Sequence, residues 1–137
     1  MVDLAKSLEE LEGDAWAEPT YDSQLVTAAH GLRQKPLRDL TVEDLRLMLG
    51  QRMGLSFLLP LALDQLEGNP LAEGDFYPGD LLGVCLRLDP NSLRTHPNAL
   101  ERLCGIARRA LRDIDDYGTN PAELRRTIRA FLGWAAA

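Results

Sequence analysis

The densest chemistry in the chain lies between Glu67 and Asp80, E-G-N-P-L-A-E-G-D-F-Y-P-G-D. Four carboxylates, Glu67, Glu73, Asp75 and Asp80, surround the adjacent aromatic pair Phe76 and Tyr77. Gly68 and Gly74 suit positive φ, and Pro70 and Pro78 suit turns or helix starts. Three chemistries are open to such a stretch. A calcium site needs about 6–8 oxygens at close alternating spacing, and the DxDxDG pattern is missing, so no metal is assigned. Glu73 and Asp75 could work as an acid/base pair in a metal-assisted hydrolase. No nucleophile or oxyanion donor stands nearby, and His30 and His96 are remote in sequence, so the expectation is that the chain is not an enzyme. The third chemistry is recognition. Aromatic anchors with a charged rim have the composition of protein-binding hot spots. The loop is therefore the candidate binding surface, with Glu73, Asp75, Phe76, Tyr77 and Asp80 as contacts and Glu67 next. The plainer alternative is that Phe76 and Tyr77 plug the core while the acids cap the helix that follows.

The remaining sequence adds no catalytic motif. No P-loop, GxGxxG, GxSxG or HExxH occurs, and no cofactor is expected. Cys85 and Cys104 sit in apolar helical patterns, where free cysteine behaves as a small hydrophobe. Neither stands at metal-ligand spacing from a histidine. The net charge of -6 is unevenly distributed. Residues 1–80 hold 6 Lys or Arg against 15 Asp or Glu, and residues 81–137 hold 9 against 6. An acidic first half repels nucleic acid and steers a basic protein partner. Arg102, Arg108, Arg109 and Arg112, with Arg125, Arg126 and Arg129, form a basic face. Its expected role is solvation, or ion pairing with the acidic half of the same fold.

The elements that must position the loop are helical. Leu, Ala, Arg and Glu dominate, β-branched residues are scarce, and no strict apolar alternation marks a strand. A chain of 137 residues reads as one domain over 1–137 that buries roughly 68% of its unfolded surface. The fold class is a compact all-α bundle of six or seven helices. The first runs over Asp3–Glu12 with Asp3 as a cap, and Trp16 and Tyr21 anchor the following loop. A helix over 22–33 carries His30 at the edge of its apolar face. Thr41 followed by Asp44 is a capping pattern opening a helix that stops near Gly50 or Gly54. Leu55–Leu66 is apolar all round, the mark of a buried helix, and is expected to be the most buried of the fold. Ser56 caps it, and Pro60 either starts it or kinks it. Pro78 opens a helix through Leu88, a loop covers 89–98, and two final helices span about 97–115 and 121–135. No apolar run reaches the ~18 residues of a membrane span, and the acidic start MVDLAKSLEELEGD is unlike a signal peptide. The expected location is the cytoplasm.

The run LTVEDLRLMLGQ, GLSFLLPLAL and NPLAEGDFYPGDLL, in that order, resembles the immunity proteins of contact-dependent growth inhibition systems. The resemblance covers roughly residues 36–90, with WAEPTYDSQL and HGLRQKPL before it matching more loosely. It implies an antidote that stays in the cytosol of the producing cell, binds the C-terminal toxin domain of a large delivered effector and blocks its active site. Many such toxins are nucleases with basic surfaces, which an acidic binding protein suits. The partner expected is that toxin domain, with no nucleic acid and no membrane. The other readings open to the residues are a helical adaptor or regulator that turns its arginine face to nucleic acid, and the small hydrolase using residues 67–80.

Overall fold

The structure, a computed structural model, describes residues 3–13, 31–96, 98–114 and 122–135. Among these, seven α-helices succeed one another: α1 Leu8–Glu12, α2 Val42–Gly50, α3 Leu55–Gly68, α4 Asp80–Leu86, α5 Pro90–Thr95, α6 Ala99–Asp113 and α7 Ala122–Ala135. A 3-10 turn at Leu37–Asp39 precedes α2. No strand occurs among the described residues, only the isolated bridges Ser7–Pro36 and Glu73–Pro78. The all-α expectation holds.

Local chemistry explains most boundaries. Thr41 caps α2: its hydroxyl accepts the Asp44 N–H at 3.1 Å while the Asp44 carboxylate accepts the Thr41 N–H at 3.0 Å, a reciprocal capping box. The same device opens α1, but Ser7 and Glu10 make it, so the helix starts later than Asp3. Asp3 instead accepts the Ala5 N–H, and Leu4 is left exposed. Gly54, not Ser56, is the N-cap of α3, and Pro60 lies inside the helix rather than at its start. Asp89 caps α5 with Pro90 at its first position. The Asp-Pro and His-Pro punctuation concealed this short helix, where the sequence reads as loop. Trp16, Tyr21 and His30 lie outside the described residues.

The core is one contiguous cluster, largely of leucine, built from every helix. Its centre differs from the sequence expectation. Six of the seven residues of α4, Asp80, Leu81, Leu82, Gly83, Cys85 and Leu86, are buried, and α4 packs against α2, α3, α6 and α7. By contrast α3 buries Leu58, Leu59, Ala62, Leu63 and Leu66 but turns Ser56, Pro60, Asp64 and Gln65 to solvent. A short helix can be enclosed on all sides, while a fourteen-residue one has too much surface to hide. The loop of interest thus feeds directly into the most buried helix.

Candidate functional site

The segment Ala72–Gly79 leaves the end of α3 and returns to start α4. Asn69 begins the turn by accepting the Leu71 N–H on its side chain at 3.1 Å and the Ala72 N–H on its carbonyl at 3.0 Å. The Gly79 N–H donates to the Leu71 carbonyl at 3.1 Å, and the Asp80 N–H to the Tyr77 carbonyl at 3.0 Å. These bonds close the loop upon itself.

Its apex is held by two carboxylates. Asp80 is only 2% exposed, and its oxygens accept the N–H groups of Gly74 at 2.7 Å and Phe76 at 3.1 Å. The intervening N–H, on Asp75, donates to Glu43 of α2 at 2.9 Å. Three successive amides that would otherwise need water are thereby satisfied from beneath. Arg46, one turn along α2, binds Glu43 through two short bonds of 2.6 Å and stands 3.9 Å from Asp80. A buried carboxylate is costly unless hydrogen-bonded and paired, and Asp80 has both kinds of partner. The hydrogen bond from Arg46 is the main reason the Glu43 carboxyl titrates below its usual range, and the same bond raises the Arg46 pKa.

Two glycines make this geometry possible. A Cβ at Gly74 would come 2.5 Å from Glu43 Oε1 and 3.0 Å from Asp80 Oδ2, so the amide reaches the carboxylates only without a side chain. Gly79 has φ of 88° and packs so closely that a Cβ would lie 2.4 Å from Leu124 of α7.

Above this base the loop presents its aromatic pair. Phe76 is 67% exposed and Tyr77 42% exposed, so neither plugs the core. The guanidinium of Arg46 lies 4.3 Å from the centroid of the Phe76 ring, fixing that ring from below by a cation–π contact. The Tyr77 hydroxyl lies over Gly83 of α4. Glu73 and Asp75 are exposed and form no ion pair among the described residues.

The structure separates the six candidate contacts into three groups. Glu73, Asp75, Phe76 and Tyr77 share the exposed apex. Asp80 lies inside it and acts on the backbone, which the sequence could not distinguish from an exposed acid. Glu67 lies on the end of α3, where it pairs with Arg102 of α6 while its carbonyl accepts from Arg109 at 2.7 Å. Arg102 also reaches Asp64 at 2.6 Å, and its hydrogen bond holds the Glu67 carboxyl below its usual range. This part of the basic face is therefore answered by the acidic half of the same chain. The sequence reading singled out neither Glu43 nor Arg46. Their i, i+3 spacing marked a local ion pair but not its position under the loop.

Among the described residues no three His, Cys, Asp or Glu side chains gather as metal ligands. No described helix is long and apolar enough to cross a membrane. Cys85 and Cys104 are free thiols. Together these features describe an all-α protein that presents a braced aromatic and acidic loop on a rigid helical base. The chain belongs to the CDI (contact-dependent growth inhibition) immunity proteins, whose family model matches residues 10–103 and so takes in α2 through α5 and the whole loop. Membership implies a toxin-neutralising immunity function. Among curated proteins there is no match to the chain.

Proposed function

We infer that the chain neutralises its cognate toxin domain by laying the apex of residues 73–77 over the toxin's active site. The observation that carries this reading is Phe76, a large apolar ring 67% exposed yet fixed by Arg46 beneath it. An exposed anchor that is already ordered loses little conformational freedom on binding. Glu73 and Asp75 flank it as a carboxylate rim, suited to lysine and arginine side chains of a basic toxin such as a nuclease. The acidic first half of the chain speeds the encounter by steering. Glu67 contributes at the margin, and Asp80 supports the apex from within. The protein acts stoichiometrically, without turnover or cofactor, in the cytosol of the producing cell.

The test is the double substitution Glu73→Ala with Asp75→Ala, checked for native helicity by circular dichroism. Calorimetric titration with the cognate toxin domain should show weakened binding, and cells expressing that domain should lose protection. Unchanged affinity in a natively folded variant would remove the loop from the interface.

A further inference from the structure

A surface of opposite character lies at the other end of α4. There Leu86, Leu88 and Leu93 face Ala130, Phe131 and Trp134 of α7 across an apolar groove of about 340 Å³. This is the small end of the range for binding pockets, with room for a side chain or two rather than a cofactor. The guanidinium of Arg94 lies 4.8 Å from the centroid of the Trp134 ring. Arg94 is exposed, and among the described residues it makes no hydrogen bond and no ion pair. Thr127 and Pro90 complete the lining. The groove thus offers an apolar floor and a cationic edge at Arg94, in the half of the chain where Lys and Arg outnumber Asp and Glu by 9 to 6.

The occupant that fits is an exposed ring flanked by carboxylates. The chain carries such a feature itself, in Phe76 and Tyr77 beside Asp75 and Glu73. We propose that a second copy of this chain fills the groove, Phe76 of one copy entering beside Trp134 of the other while Asp75 and Glu73 meet Arg94. Loop and groove stand at the two ends of α4, roughly 9 Å apart at about 1.5 Å per residue. Reciprocal insertion around a two-fold axis uses both pairs and leaves neither open. An interface built on one ring in a small groove is weak and dissociates on dilution. It shields the apex of residues 73–77 until the copies part. Competition between toxin and second copy rests on the function proposed above, but self-association does not, and its test contains no toxin.

Sedimentation velocity on the full chain, from micromolar to millimolar protein at low salt, should show a sedimentation coefficient rising toward that of a dimer. Added salt should oppose the rise. Phe76→Ala and Arg94→Glu, both at exposed positions, should each weaken association about tenfold or more, as for an interface anchor. The decisive arm exchanges charge. Asp75→Arg places arginine against Arg94 in its own dimer, and Arg94→Glu places glutamate against Asp75, so each variant alone is monomeric. Mixed together, every loop meets a groove of opposite sign, and association should return. A wild-type chain that stays monomeric throughout overturns the proposal. So does association indifferent to both single substitutions, or a mixture that fails to associate while both variants keep native circular dichroism.

Discussion

Arg46 and Phe76 are thirty residues apart in sequence, yet the guanidinium of one lies 4.3 Å from the ring centroid of the other. The contact joins helix α2 to the apex of the loop that opens α4. Arg46→Ala removes the cation under the ring and one partner of Glu43 at once. It should cost about 1 kcal/mol of stability, given the modest worth of partly exposed cation–π and ion pairs. Lysine cannot reproduce the bidentate fork on Glu43, so Arg46→Lys should recover only part of the loss. Urea unfolding of the three proteins measures both.

Asp80 holds two backbone amides from inside the fold. Asp80→Ala leaves those part-buried donors without their acceptor and Arg46 without its second carboxylate. A loss of about 2–3 kcal/mol is expected, read as a lower urea midpoint. Hydrogen exchange separates this from general destabilisation, because the Gly74 and Phe76 amides should lose protection before those of α6.

Gly79→Ala combines a left-handed backbone with a collision on Leu124. Strain and overpacking together should cost at least about 2 kcal/mol. Shortening the obstacle in Gly79→Ala with Leu124→Ala should relieve the collision but not the φ penalty. The double variant should therefore be less unstable than the sum of the two singles, as thermal unfolding would show.

The Glu43 carboxyl is lowered from its ordinary value of 4.5 by its bond to Arg46. A depressed folded-state pKa gives stability that is fully present above the unfolded value and lost as pH falls through the folded one. The contribution of Glu43 should therefore persist at neutral pH and fade only in acid, below about 4.5. Glu43→Gln should flatten that part of the stability profile, measured by urea midpoints at successive pH values. Carbon-detected titration of Glu43 should place its midpoint below that of an exposed glutamate.

Cys85 is fully buried in α4, and burial pushes its thiol up to about 12. The thiolate is the reactive form, so Cys85 should resist alkylation at mildly alkaline pH in the native protein. Cys104 is only half-buried and should react first. Mass spectrometry of a timed alkylation should show one adduct natively and two in denaturant.

Much of this protein is written locally. The Thr41–Asp44 capping box, the core positions Leu103 and Ala107 on α6, and the match over residues 10–103 all follow from the sequence. Spacing and propensity act over a single turn, so the chain alone determines that it is helical and where an acidic, aromatic loop interrupts it. What the chain alone could not decide is which acids of that loop face solvent. Asp75 and Asp80 are the same residue type five positions apart, yet one is exposed and the other 2% exposed. The difference is set by α2, which brings Glu43 and Arg46 under residues some thirty positions later. Enclosure of α4 by four other helices likewise depends on packing across the whole chain. Burial of charge is settled by long-range partners, because only a distant amide or guanidinium can compensate the water a carboxylate loses.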